Sequence, residues 1–375
     1  MGAARTVLVT GATGLLGSHA AAAVLSEADA HVVAPVRAHH HGTDAVARAV
    51  AATGEPALVD ADWRERLHPV ALPDDLTELD ATVATHGVDE IIHCAGCLSY
   101  TDAALLMAVN VELTRRLVDA ARRWGVARFV HVSTAFAGGY PSGDALITER
   151  LHSESAHDPT PYTASKRAAE RVVADGAVPY VILRPSSVIG DSATGHYHGP
   201  RYGLYQLWSG IERFLLDEWH PEIHFVAPAH PLPILHQDAF RAAVLAARRH
   251  LPDGSICHLT SRNGPDVRAI AELFFDEHLR PDVVHYYDRF ADVPLDEVPR
   301  AQRALLRLAQ VNLDIASHHW RFDCTTLATL VAAGTPFVDA TLATVHTCQQ
   351  TYLTGSTRLH RYRTELAARD RAASR

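Results

Sequence analysis

Along the first half of the chain, short apolar runs alternate with longer amphipathic stretches. Val7-Leu8-Val9 lies inside a predicted strand over 5–10, and the small, apolar stretch Ser18 to Leu25 falls in a predicted helix over 14–27. Further strands are predicted at 31–36, 67–72, 88–93, 127–132 and 179–183. Helices are predicted at 77–86, about 102–124 and 162–175. The long helix carries Leu105, Leu106, Val109, Leu113, Leu117 and Val118 on a largely shared face. Six strand signals separated by helices predict an α/β fold, a Rossmann-type doubly wound parallel sheet.

After Gly190 the pattern changes. A helix over 202–219 presents Leu204, Leu207, Trp208, Ile211, Phe214 and Leu215 on one face. Helices at 238–249 and 265–279 alternate with strand-like runs at 255–259 and 282–287. Beyond 290 the signals are helical, at 295–310 and 323–354, the latter interrupted at Gly334-Thr335-Pro336. From Arg361 the charged, alanine-rich sequence reads as a solvated helix or a frayed tail. The expected division is residues 1–190 for the sheet domain and 191–375 for a smaller, mainly helical substrate lobe. The stretch about 236–280 is a candidate to return to the first domain.

The joint between the first strand and first helix is Thr10-Gly11-Ala12-Thr13-Gly14-Leu15-Leu16-Gly17. Gly11 is expected to let the chain turn, Gly14 to leave room for a pyrophosphate, and Gly17 to let helix and sheet approach closely. The first amides of the helix then face the phosphates, and the helix dipole favours them. This makes Gly11, Thr13, Gly14, Leu15, Leu16 and Gly17 candidate contacts of a dinucleotide.

Arg37 follows the second strand directly, where the adenosine ribose is expected. An acidic residue there would accept from ribose hydroxyls and repel a 2′-phosphate, whereas a guanidinium offers donors to one. Arg37 therefore favours NADPH over NADH. Asp75, with Leu76 beside it, is the candidate to receive the adenine amino group after the third strand. Cys94, Ala95 and Gly96 end the fourth strand with small residues that let backbone approach the cofactor. Asn110, inside the long helix, reads either as a bridge between backbone groups or as a tolerated polar residue.

The 375 residues carry a net charge of -9, so the chain as a whole is not built for nucleic acid and none is expected as a partner. Cys94-Ala-Gly-Cys97 has CxxC spacing, but its place at a strand end favours packing over metal or redox chemistry. His39-His40-His41 reads as a solvated loop, and the 25 histidines show no paired ligand motif, so no metal is expected. With no membrane-length apolar run and no signal-peptide pattern, the chain is expected to be cytoplasmic.

Tyr162 and Lys166 stand one helical turn apart and share a face. A neighbouring ammonium favours the phenolate, which makes a tyrosine a usable acid near neutral pH. Thr134, at the preceding strand tip, can donate to a substrate carbonyl oxygen while Tyr162 supplies a proton.

TGATGLLG at 10–17, HCAG at 93–96, VSTAF at 132–136, YTASK at 162–166 and RPSSVIG at 184–190 together resemble the extended short-chain dehydrogenase/reductases. The resemblance implies catalytic positions at Thr134, Tyr162 and Lys166, with Ser133 the neighbour most easily confused with Thr134. Asn110 matches the superfamily's helix asparagine. Tyr162 and Lys166 also become cofactor contacts, with Pro185 and Ser187. A narrower resemblance is to the thioester reductase and fatty acyl-CoA reductase branch. It is carried by VVAPVRA at 32–38, Ser133-Thr134, Arg184-Pro185, Val188 to Gly195 and Phe322-Asp323. Ile234-Leu-His-Gln-Asp238 departs from that branch's commoner run.

That branch implies NADPH-dependent reduction of an acyl thioester, carried by a carrier protein or CoA, to an aldehyde or alcohol. No active-site cysteine is needed. The same three residues serve a ketone, aldehyde or hydroxysteroid-like oxidoreductase, or a sugar-nucleotide epimerase, and these stay open as alternatives. The implied partners are the thioester or another small carbonyl substrate, with no nucleic acid and no membrane span.

Overall fold

The computed structural model describes residues 5–37, 42–59, 62–99, 102–140, 143, 145–153 and 157–373; His39 to His41 lie outside them. In chain order the first elements are β1 (Arg5–Thr10), α1 (Leu15–Leu25), β2 (Ala30–Val36), α2 (Gly42–Ala51), β3 (Leu67–Ala71), α3 (Asp80–His86) and β4 (Val88–His93). Next come α4 (Ala103–Leu106), a π-helical turn over Met107–Glu112, α5 (Leu113–Trp124), β5 (Arg128–Val132), α6 (Pro161–Asp175), β6 (Tyr180–Pro185) and β7 (Ser187–Ile189). The remainder holds α7 (Leu204–Phe214), β8 (Glu222–Val226), β9 (Ile234–His236), α8 (Gln237–His250), β10 (Ser255–Leu259), α9 (Val267–Phe274) and β11 (Val283–Tyr287). The last four helices are α10 (Arg300–Ala316), α11 (Thr325–Ala332), α12 (Leu342–Thr354) and α13 (Thr357–Ala373).

These elements form two compact units. The first comprises residues 1–186, 235–260 and 322–338, and the second comprises 187–234, 261–321 and 339–375. The first unit is built on a seven-stranded sheet of order β10-β6-β5-β4-β1-β2-β3. Every pairing in it is parallel. The doubly wound sheet therefore gains β10 as a seventh strand beside β6, reached through α8.

A parallel sheet is covered on both faces, so its strands are near-continuous apolar runs. Val7, Leu8 and Val9 are all fully buried. On one face Leu8, Val33, Ile91, Phe129 and Ile182 pack against Val83 of α3, Leu117 and Val118 of α5 and Val173 of α6. In the other layer α1 contacts α2 and α8. The run Ala20 to Ala23 is buried throughout, its short side chains letting α1 lie close to its neighbours.

The long helix expected at 102–124 is broken by the π turn, which holds Asn110. The second unit has its own core, in which Tyr205, Trp208 and Ile211 of α7 join Phe225 of β8, Phe274 of α9 and Leu305 of α10. Its β8 and β11 form a two-stranded parallel sheet, and β8 carried no strand signal in the sequence reading. The tail is not solvated as expected. Leu359, Tyr362 and Leu366 of α13 are buried in that core, and the Tyr362 hydroxyl donates to Leu279 O at 2.8 Å. Their spacing of three and four residues gives α13 one apolar stripe, masked by the arginines and alanines between them. Among the described residues no helix is long and apolar enough to cross a membrane.

Candidate active site

The glycine turn after β1 is fixed by steric need. Gly11 has φ +73°, and a Cβ on it would lie 2.7 Å from Ala95 N. A Cβ on Gly17 would sit 2.1 Å from Gly11 O, so the start of α1 lies against the turn itself. Gly14 N donates back to Gly11 O at 2.8 Å, closing the turn. Gly14 is also the N-cap of α1, with no side-chain cap. The amides of Leu15, Leu16 and Gly17 precede the first helical bond, from Ser18 N to Gly14 O at 2.9 Å. Thr13 and Gly14 are exposed on the turn. A cradle of this shape, closed to side chains and lined by amides, fits a pyrophosphate.

The other expected cofactor contacts fall around the same sheet edge, with one qualification. Arg37 is exposed immediately after β2. Asp75 caps a short 3-10 turn, its Oδ1 accepting from Thr77 N at 2.9 Å. That bond holds its carboxyl below the usual carboxylate range. Leu76 is 5% exposed and its side chain belongs to the core, which leaves only its backbone to a ligand. Ala95 N donates to Thr10 Oγ1 at 3.2 Å, binding the small-residue strand end to the tip of β1. Burial pushes the Cys94 thiol up to about 12, and Cys94 and Cys97 are free cysteines, not a disulfide.

α6 begins with a reciprocal capping box between Thr160 and Thr163 and with Pro161 in its first turn. This entry puts half-buried Tyr162 in the first turn and Lys166 one turn further on. Lys166 is 4% exposed, and its Nζ donates to Val132 O, the last residue of β5, at 2.7 Å. Burial lowers its pKa from 10.5 to about 8, opposed by the charge of Glu170. Two residues past Val132, Thr134 caps the turn over Ala135–Gly138, its Oγ1 accepting from Phe136 N at 3.4 Å. Lys166 thereby fastens the helix of Tyr162 to the strand tip that ends in Thr134. Neighbouring Ser133 has a buried hydroxyl without a hydrogen-bond partner.

Asn110 is a bridge. Its Oδ1 accepts from Cys97 N at 2.7 Å, and its Nδ2 donates to Cys97 O at 3.0 Å and Ser165 Oγ at 2.9 Å. Ser165 Oγ then donates to Tyr162 O at 2.7 Å. One side chain thus joins the end of β4 to the helix turn that carries Tyr162.

Sequence reasoning missed the support beneath it. Thr114 has one hydroxyl proton, which goes to Asn110 O at 2.7 Å. His93 Nε2 must therefore donate to Thr114 Oγ1 at 2.9 Å, leaving Nδ1 to accept from Thr10 Oγ1 at 2.7 Å. Burial, with the charge of Lys166, holds His93 down at about 3, so it is a neutral spacer and not a proton carrier. The first residue of the His93-Cys-Ala-Gly run was the available signal.

Arg184 is a buried pin. Its Nε and Nη2 grip both Glu170 oxygens at 2.8 and 2.7 Å, and Nη2 also donates to Arg150 O at 2.9 Å. Nη1 reaches Thr148 O and His258 Nε2, each at 3.3 Å. Pro185 closes β6, whereas Ser187 opens β7 in the second unit.

Residues 7–207 match the NAD dependent epimerase/dehydratase family. An isonitrile lipopeptide synthase of Streptomyces coeruleorubidus is 30% identical over 240 residues, covering 58% of this chain and 16% of that protein. The chain spans about half or less of the length of the curated relatives it matches. The terminal R domain from the myxalamid PKS-NRPS biosynthetic pathway has a similar fold, with TM-score 0.77 at 19% identity over 94% of this chain and 92% of that one. UDP-glucuronic acid 4-epimerase from Bacillus cereus gives TM-score 0.62 at 19% identity over 93% and 98%. With that match covering more than half of the chain, the glycine cradle and the Tyr162–Lys166 helix included, the chain belongs to the NAD dependent epimerase/dehydratase family, the extended short-chain dehydrogenases/reductases.

Proposed function

We propose that this protein reduces an acyl thioester, presented on a carrier protein or as a CoA ester, to an aldehyde or alcohol with NADPH. The observation that carries the reading is the likeness to a terminal R domain over 94% of the chain, second unit included, at TM-score 0.77. The sugar-nucleotide epimerase follows the same chain at 0.62.

A nicotinamide cofactor, when bound, supplies the hydride. The amides of Leu15, Leu16 and Gly17 and the exposed Thr13 would hold its phosphates, and Cys94, Ala95 and Gly96 would line its path. Arg37 would take a 2′-phosphate and Asp75 the adenine amino group. Lys166 and Pro185 complete the set in the first unit. Thr134 and Tyr162 act on the carbonyl oxygen: the Thr134 hydroxyl donates to it, and the Tyr162 phenol transfers its proton as negative charge builds. Lys166 remains mostly cationic at neutral pH and, one turn away, stabilises the phenolate left behind. Collapse of the tetrahedral species returns the hydroxyl proton to the Tyr162 phenolate, breaks the C–S bond and expels the thiolate, so the protein forms no acyl intermediate. A Cys94 thiol pushed up to about 12 has no part as a nucleophile.

The test is NADPH oxidation with acyl-CoA and acyl-pantetheine thioesters beside matched aldehydes and ketones, with thiol release followed in parallel. One thiol per NADPH identifies the aldehyde as product, and one per two NADPH identifies the alcohol. Consumption only with free carbonyls overturns the thioester reading in favour of a plain carbonyl reductase. Tyr162→Phe should lower kcat by about 10²–10⁴-fold while sparing NADPH binding. Arg37→Ala should weaken NADPH by roughly 1.5–3 kcal/mol more than NADH, and equal losses would remove the phosphate role.

A further inference from the structure

We propose that Glu222, His224 and His285 form a binding site for a divalent transition-metal ion, zinc foremost, on the solvent side of the β8–β11 pair. The inference is independent of the thioester reading, because its ligands and its readouts lie elsewhere.

In this parallel pair His224 and His285 are register partners. Glu222 precedes His224 by two residues and so projects from the same face. The intervening Ile223 and Phe225 are 1% and 2% exposed, which commits the opposite face to the core. One ligand atom from each of the three side chains lies within 4.8 Å of the others. His285 Nε2 stands 3.6 Å from Glu222 Oε2, and the two imidazole rings are stacked with centroids 4.6 Å apart. A tetrahedral ion with bonds of about 2.0–2.2 Å spaces its ligands roughly 3.3–3.6 Å apart. Side-chain rotation of about 1 Å closes the widest gap.

Two features mark a prepared site. Gln302 of α10, 1% exposed, accepts from His224 N at 3.0 Å and donates to Glu222 O at 2.7 Å. One buried amide thus fixes the backbone of both ligands on β8. His224 Nδ1 meets the Tyr287 hydroxyl at 2.8 Å, which orients the ring and leaves Nε2 for the ion. Metal-binding histidines are held by an outer partner in this way. Two imidazoles and a carboxylate suit zinc, copper or nickel, and a fourth position remains for water or a solute group. The two histidines stand sixty-one positions apart, so no spacing motif announces the site. The ion would join two strands that form a sheet of only two, an arrangement with little stability of its own.

The 375-residue chain, stripped with a chelator, is titrated with Zn2+ in competition with a chromophoric indicator. One ion per chain should bind more tightly than the scattered surface histidines can hold, and its binding should raise the unfolding midpoint. His285→Ala and Glu222→Gln should each weaken that ion at least tenfold, and Tyr287→Phe about tenfold. His230→Ala, on a separate histidine pair with His319, should leave it unchanged. Circular dichroism shows that each variant is folded. Co2+ should give the visible bands of a four- or five-coordinate nitrogen–oxygen site in the parent and in His230→Ala, and not in His285→Ala. Equal zinc affinity in parent and His285→Ala, equal loss in His230→Ala, or no ion bound more tightly than by the scattered histidines overturns the proposal.

Discussion

The seven-stranded sheet and the β8–β11 pair are both parallel, yet they treat polar side chains in opposite ways. The large sheet is covered on both faces, and most polar groups within it are enclosed in bonds. Arg184 and Glu170 are both fully buried, with the guanidinium shared among one carboxylate, two carbonyls and an imidazole. The strand pair buries one face only, and Glu222 and His285 keep 62% and 43% of their side-chain surface in water. Where the fold uses the bonding capacity of a buried polar group, as it does for Arg184, the group acts as a pin. A half-solvated one keeps that capacity for something that arrives from outside.

The sharpest way to break the contrast is Arg184→Met. It removes a charge whose partners cannot turn to water, leaving Glu170 buried with one opposing charge gone. Breaking a buried pair by deleting one member costs about 3–5 kcal/mol. Urea unfolding should show that loss, together with early cleavage by protease in the 148–150 loop that the guanidinium holds. A loss below about 1 kcal/mol would mean that the pair is a passenger of the fold.

The role of Arg184 was not legible in the chain, although Arg184-Pro185 was visible as a resemblance. Its partners come from 148–150, 170 and 258, and nothing local specifies such a set. The glycine turn was legible for the opposite reason. Gly11 and Gly17 answer a local steric demand that only glycine meets, and the flanking strand and helix adjoin it in sequence. Tyr162 and Lys166 were legible through a four-residue spacing that a helix turns into a shared face. The π turn at 107–112 carries no compositional mark, since the apolar face of the helix continues through it; the long-range grip of Asn110 on Cys97 sits there. The segment 322–338 returns to the first unit through contacts across the chain. Phe322 meets Phe136 and His258, and Asp323 N donates to Ile147 O at 2.9 Å. Strand β8 escaped because it is only five residues long and follows a proline, too short a run to stand apart from a loop.

Lys166 gives a second, smaller effect in the first unit, visible through pH. Burial lowers its pKa from 10.5 to about 8, so between those values the folded chain binds fewer protons than the unfolded one. Unfolding takes up protons in that window, and stability rises with pH across it. The penalty for burying the charge is fully present below pH 8 and is relieved towards pH 10.5, about 3 kcal/mol in all. The stability of Lys166→Met should lack this rise, so the difference between parent and variant, followed by urea unfolding from pH 7 to 10.5, isolates the lysine. A difference independent of pH would place the titration of Lys166 at its ordinary value and remove burial as the cause.

The smallest effect tests the other side of the contrast. With chelator present, His285→Ala should change the unfolding free energy by no more than about 0.5 kcal/mol, as surface substitutions do. The side chain is nearly half exposed, its carboxylate neighbour is 3.6 Å away and mostly solvated, and pairs of that kind contribute little in water. The stacked ring of His224 keeps its own bond to Tyr287, so no buried group is stranded. Urea titrations of parent and variant in chelator, then in zinc, separate the two demands on this residue. Near-identity without metal and divergence with it show that the imidazole is held in reserve by the fold. A loss of 2 kcal/mol or more in chelator would instead make His285 a structural pin like Arg184, and the two sheets would then differ in burial without differing in how they use their polar residues.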